Sequence, residues 1–189
     1  MQLTTYCFEE PGPQNTDQTL AIACERAKEL GIKQVVVASS HGSTARKAQV
    51  LFSSVGVKVI AVTIGHSYEA DGWCMDAVTK AELVGLGVTV VTGIHALGDG
   101  VGGVFNACGG RAPEEIVRDT LYRFSQGMKV AVECLLMAAD AGVLDMTQEI
   151  ISIGGTNGGA DTAIVCKPAY PRTFNDLQIR EVLAKPRVI

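Results

Sequence analysis

The stretch from Val35 to Ala48, reading VVVASSHGSTARKA, constrains the fold more than any other part of the chain. Val35, Val36 and Val37 form an unbroken β-branched run that fits a strand buried on both faces, and the residues from Ser43 onward have the character of a helix start. Between them lies a turn of small residues. Ser39, Ser40, Gly42, Ser43 and Thr44 bring hydroxyls and unshielded backbone to the place where a helix presents unpaired amides and the positive end of its dipole. An anion, above all a phosphate, fits such a turn. The pattern is neither the Walker sequence nor GxGxxG, and capping of the helix by Ser43 or Thr44 accounts for the same residues. His41 suits a phosphate contact or a solvated turn. Arg46 and Lys47 either lean toward an anion or stand in solvent.

A strand covered on both faces needs a large core. The chain has 189 residues, 47% of them apolar and only 5% aromatic, so Val, Ala, Ile and Leu must fill that core. This is the usual balance of an α/β protein, at a length that suits one domain. The formal charge of −4 comes with no basic run, so nucleic acid is not an expected partner. The opening MQLTTYCFEEPGPQ has neither the basic nor the apolar region of a secretory leader, and no later stretch is long enough to span a bilayer. A cytoplasmic protein with no membrane partner is expected. Six scattered cysteines without CxxC spacing read as reduced, buried thiols, and three histidines make a zinc site unexpected.

In chain order, Thr4 to Phe8 suits a first strand, and two prolines in EEPGPQ mark a loop. Asn15 or Thr16 then caps a helix, with Gln18 in the capping-box position behind Asn15. Leu20, Ala23, Cys24 and Ala27 form its apolar face and Gly31 ends it. The helix from Ser43 runs to about Ser54, followed by a second buried strand from Val57 to Thr63. Strand, helix, strand in this order implies a right-handed parallel crossover. The polar stretch after Thr63 falls at the carboxyl edge of the sheet, where open α/β folds bind ligands, so Thr63, His66 and Ser67 are candidate contacts. Trp73 either covers the pocket or anchors the loop. Met75 to Leu86 reads as a helix and Val88 to Thr92 as a third strand.

Seven glycines between Gly93 and Gly110 weaken any helix there. A flexible strap is favoured over a weak helix at Val101 to Ala107. Pro113 falls at the first position of the next helix, with Ile116, Val117, Thr120, Leu121 and Phe124 as its expected buried face. Gly127 is expected to interrupt the structure before MKVAVECLLMAADAG, a helix apolar nearly all round. Glu133 in its middle must find an internal partner, or else serve as a ligand contact or proton acceptor. Glu149 to Ile153 reads as a fourth strand, and Asn157-Gly158 as a hairpin turn returning through Thr162 to Val165. Gly154, Gly155, Thr156, Asn157, Gly158, Gly159, Asp161 and Thr162 also suit close approach to a ligand. Ile179 to Ala184 is expected to be a last edge strand.

The arrangement around VVVASSHGSTA resembles the C-terminal α/β domain of pyruvate kinase, in which a Ser/Thr-rich turn and a helix N-terminus hold the phosphate of a sugar-phosphate effector. The likeness extends to stand-alone prokaryotic proteins that share PGPQNT, ELGIKQVVVASSHGSTA, KVAVECLLMAADAG, GGTNGGADTAIVCKPA and IREVLAKPR, which together cover most of this chain. The resemblance implies a three-layer α/β sandwich with a mainly parallel sheet. It also implies flavin mononucleotide (FMN) as ligand, with Ser39, Ser40, Gly42, Ser43 and Thr44 as the phosphate cradle. Gly154, Gly155, Thr156, Asn157, Gly158, Gly159, Asp161 and Thr162 would lie against the ring or ribityl part, beside Thr63 and His66. Gly93 to Arg111 departs from the relatives, whose segment is more polar and less glycine-rich. Pyruvate kinase activity is not implied, because the catalytic barrel is absent.

Three functions stay open. A binding module for a phosphate-bearing small molecule comes first. A flavin-dependent oxidoreductase or small sugar-phosphate enzyme would use His66, His95, Glu133 or Asp161 for proton transfer. A homo-oligomeric interaction subunit would use its apolar helices, as the kinase domains do.

Overall fold

The computed structural model describes residues 2–189, with Ala107 described by its backbone alone. Among these residues one sheet is built from β1 (Tyr6–Phe8), β2 (Gln34–Ala38), β3 (Lys58–Ile64), β4 (Thr89–Gly93), β5 (Ile150–Gly154), β6 (Thr162–Lys167) and β7 (Gln178–Pro186). The helices are α1 (Thr16–Leu30), α2 (Ser43–Ser53), α3 (Ala77–Gly85), α4 (Val104–Ala107), α5 (Pro113–Leu121) and α6 (Gln126–Asp140). The strand order is β1-β7-β6-β5-β2-β3-β4. Strands β5, β2, β3 and β4 run parallel, and β6 alone is antiparallel to its neighbours β5 and β7. The sheet is therefore mainly parallel.

Alternation along β2 assigns its valines to two different layers. Val35 and Val37 pack with Leu20, Cys24, Ala48, Phe52 and Leu83, which belong to α1, α2 and α3. Val36 faces the other way, with Ile60 and Val62, onto Met128, Val132, Leu135 and Leu136 of α6. Both faces are dry, which is why the run shows no polar alternation. Helix α6 is buried from Gly127 to Ala139, so its all-round apolar sequence reflects contact with the sheet on one side and with α5 and the loops on others.

Several local expectations are corrected by tertiary contacts. Asn15 does precede α1, but its side chain makes no cap; its amide reaches back to the Glu10 carbonyl at 2.8 Å. The last strand is not an edge, since β7 lies between β6 and the short β1, which pairs with it in parallel. Tyr6–Phe8 is too short to be read as the strand that closes that side. On α5 the expected face is wrong: Ile116 and Phe124 are exposed, Val117 and Leu121 are half-buried, and the fully buried side chain is Glu115. The glycine-rich segment is not featureless, because Val101–Gly103 forms a 3-10 turn that leads into α4.

Gly127 does not interrupt α6. It is the second residue of that helix, behind the cap Ser125, whose Oγ accepts from the Met128 amide at 2.8 Å. A β-carbon on Gly127 would strike Thr162 Oγ1 and Asp161 Oδ1, and one on Gly154 would meet the Ala131 nitrogen at 2.7 Å and the Gly127 carbonyl. Helix and strand end thus approach closer than any side chain allows. Replacing Gly154 by Ala is expected to cost about 1–3 kcal/mol of overpacking, measured by urea unfolding. Gly85→Ala, at a position where an added β-carbon meets nothing within 4 Å, is the control and should not destabilise.

Candidate functional site

The N-cap residue of α2 brings no capping side chain. Gly42 holds the N-cap position in the left-handed region (φ 85°), and a β-carbon there would crowd Thr79 and Leu83 of α3. Ser43 and Thr44, expected as caps, are instead the first two helical residues. Ser39 takes the capping role from a distance, its Oγ accepting from the Ala45 amide at 3.2 Å. The amides of Ser43 and Thr44 have no partner within the helix. Thr63 steadies the turn by donating to the Ser40 carbonyl at 3.3 Å, and His41 Nε2 lies 2.9 Å from the Gly72 carbonyl, tying the turn to the loop after β3.

This turn opens on a cleft of about 690 Å³ at the carboxyl ends of the parallel strands. Ser39, Ser40, His41, Ser43 and Thr44 line it after β2; Thr63, Ile64, Tyr68 and Trp73 line it around and after β3; His95, Leu97 and Asp99 line it after β4. Gly155, Asn157, Gly158 and Gly159 contribute from the loop after β5, and α6 supplies one wall through Gln126, Lys129, Val130, Glu133, Cys134 and Met137. Trp73 therefore borders the pocket as well as its own loop. Asn157 and Gly158 have positive φ (57° and 139°), and nothing lies within 4 Å of a β-carbon added at Gly158.

Seven expected residues are not part of the lining, among them Ser67, which is exposed. Gly42 is buried beneath the turn and His66 stands exposed on the 3-10 turn His66–Asp71. Gly154 is covered by α6. Asp161 is fully buried and accepts from the Gly12 amide at 3.0 Å, the Thr156 amide at 3.1 Å and the Thr162 hydroxyl at 2.8 Å. Thr162 in turn meets Ser125 Oγ at 3.0 Å, and the Thr156 hydroxyl is buried with no hydrogen-bond partner among the described residues. Asp161 and Thr162 hold the hairpin, the N-terminal loop and α6 together. Arg46 and Lys47 also turn away from the cleft, pairing with Glu82 and Asp17.

Tyr68, Asp99 and Lys129, which sequence reasoning missed, stand on the far wall together with His95 and Glu133, which it named for proton transfer. Glu133 finds an internal partner as expected: it pairs with Lys129 and accepts from the Leu97 amide at 2.9 Å. That second bond fixes the start of the glycine-rich segment against α6. His95 Nδ1 pairs with Asp99, and the Tyr68 phenol also bonds Asp99. Burial raises the Asp99 carboxyl, but hydrogen bonds from His95 and Tyr68 outweigh it and hold the group below the usual carboxylate range. The same bond to Asp99, followed by burial, pushes the Tyr68 phenol up to about 12. Burial pushes the Cys134 thiol up, so it is no thiolate nucleophile. Both His95–Asp99 and Lys129–Glu133 are i,i+4 pairs, the one trace of this wall visible in the sequence.

A mainly parallel sheet with helices on both faces defines an α/β domain, and the cleft at its carboxyl edge is its candidate site. The chain belongs to the pyruvate kinase alpha/beta domain family, whose model matches residues 17–166. Among solved structures it is similar to the SAH-bound methyltransferase PaMTH1 of Podospora anserina, at 11% identity and a TM-score of 0.33, with 70% of this chain and 50% of that chain covered. The chain spans about half the length of that protein, and a likeness this low says nothing of its chemistry. No helix among the described residues is long and apolar enough to cross a membrane.

Two outcomes are expected from this geometry. Asp161→Ala leaves the Gly12 and Thr156 amides without their acceptor and should cost about 3 kcal/mol in urea unfolding, against little change for His66→Ala. In alkaline titration followed at 295 nm, one tyrosine should ionise near pH 12, and Tyr68→Phe should remove it. Since the folded-state value is raised, the stability this phenol contributes is complete below its unfolded value near 10 and is lost as pH rises toward 12.

Proposed function

We propose that the cleft binds a phosphate-bearing small molecule, its phosphate seated on the turn after β2. One observation carries the reading: the α2 N-terminus, where Ser39 covers the Ala45 amide but those of Ser43 and Thr44 are free, opens into a cleft lined by four hydroxyl side chains of the same turn. The cleft is also large enough for a nucleotide-sized ligand.

FMN is the first candidate. Its donor requirements fit the residues present: Ser40, Ser43 and Thr44 would hold the phosphate, while Tyr68 and Trp73, with Val62, Ile64 and Met137, offer apolar and aromatic surface for a planar ring. Flavin, when bound, supplies electron transfer. The chain's own part would be to seat the phosphate, cover the ring with the loop after β3 and keep water from it. A sugar phosphate is the second reading, favoured by the His95–Asp99 pair on the same cleft.

Titration with FMN and with riboflavin tests the phosphate seat. FMN is expected to bind at least 10-fold tighter. Ser43→Ala with Thr44→Ala should weaken FMN by about 10-fold, the worth of one or two hydrogen bonds to a charged group, and leave riboflavin unchanged. Equal affinities for both flavins would remove the phosphate from this turn.

A further inference from the structure

The far wall of the cleft is more than a surface for holding a ligand. His95 and Asp99 are both about one-quarter exposed at their side chains, and Nδ1 of the imidazole is engaged by the carboxylate. A carboxylate on Nδ1 keeps the proton there and leaves Nε2 with a free lone pair. Tyr68 holds the same carboxylate from the loop after β3, and its ring lies tilted at 5.7 Å from the imidazole. A histidine that only filled space would not need an oriented acid behind it, itself braced by a phenol.

Beside this pair stands a buried cation. Lys129 is 8% exposed, spends one of its three donors on Glu133, and has its ammonium 5.9 Å from the centre of the Tyr122 ring. Arg118 of α5, Glu133 and Asp71 are further charged groups lining the same cleft as His95, Asp99 and Lys129, and Glu114 and Asp140 border His95 on its other side. Strands β2 and β4 flank β3, so their carboxyl ends are about 10 Å apart, two strand spacings. A phosphate on the β2 turn therefore leaves the body of a short phosphorylated chain within reach of the residues after β4.

We propose that His95 is a catalytic residue that moves a proton on a phosphorylated hydroxy-carbonyl compound, with Asp99 as its positioning residue and Lys129 facing the carbonyl oxygen. The carbon–hydrogen bond next to the carbonyl breaks, its electron pair moves onto the oxygen as an enediolate, and the proton goes to Nε2. The Lys129 ammonium offsets the charge that develops on that oxygen. Return of a proton to the same carbon gives exchange; return to the neighbouring carbon gives the isomer, the hydroxyl proton passing from its own oxygen to the enediolate oxygen as the second carbonyl forms. No electrons leave the molecule and no other reactant is needed. The proposal rests on the phosphate seat after β2 and does not require flavin.

The test uses dihydroxyacetone phosphate, ribulose 5-phosphate and fructose 6-phosphate as probes, with binding followed by calorimetry and exchange of carbon-bound hydrogen in D2O followed by proton NMR. At least one probe is expected to bind and to exchange faster than without protein. His95→Gln should then lower the exchange rate at least about 100-fold while binding persists. Asp99→Asn separates positioning from packing: nitrogen-15 NMR should find the His95 proton on Nδ1 in the unaltered protein and shared between both nitrogens in the variant. Binding without exchange, exchange that survives in His95→Gln, or a proton on Nε2 in the unaltered protein would each overturn the proposal and leave the phosphate seat standing. Failure of every probe and of FMN to bind would overturn both.

Discussion

The contact between the start of α6 and the end of β5 is the constraint on which the rest of the structure depends. Gly127 and Gly154 let two backbones meet without side chains between them, and Ser125, Thr162 and Asp161 close the polar groups around that meeting. Asp161 extends the network to Gly12 and Thr156, so a single buried carboxylate joins the N-terminal loop, the hairpin and the helix. A buried charge with three donors is stable, and the same charge with one donor removed is costly. Because α6 is fixed here, the adjoining face, which shares Val130 with the contact, becomes a wall of the cleft.

Further along the same helix, Glu133 does a second job. Its pairing with Lys129 offsets the burial of both charges, and its bond to the Leu97 amide brings the segment after β4 over the carboxyl edge of the sheet. The glycines of that segment allow it to follow this path; a β-carbon on Gly98 would already press on the Arg118 guanidinium at 3.0 Å. The cleft is therefore bounded on one side by the first turn of α2 and on the other by a charged wall that long-range pairing assembles. Family membership shows the fold. The far wall is assembled from residues spread over α5, α6 and two loops.

How much of this was legible in the sequence differs by element. The β-branched runs at Val35 and Val57, the strand-to-helix turn and the Asn157-Gly158 hairpin were readable because their signals are local. The roles of Gly154, Asp161 and Thr162 were not: a glycine needed for helix packing and a glycine needed for ligand approach look the same in a sequence, and only the partner atoms separate them. Glu115 and Ile116 show the same limit, since the helix period assigns a face but the neighbours decide which face is covered.

By itself, then, the sequence determined an α/β chain, a buried parallel strand and a strand-to-helix turn of small hydroxyl residues, because periodicity, β-branching and turn chemistry act within a few residues. Tertiary structure alone decided that β7 is interior, that Arg46 and Lys47 face away from the turn, and that His95, Asp99, Tyr68 and Lys129 share one wall. Those relations join residues tens of positions apart, and a side chain's charge or hydroxyl acquires a direction only when the backbone that carries it has been packed.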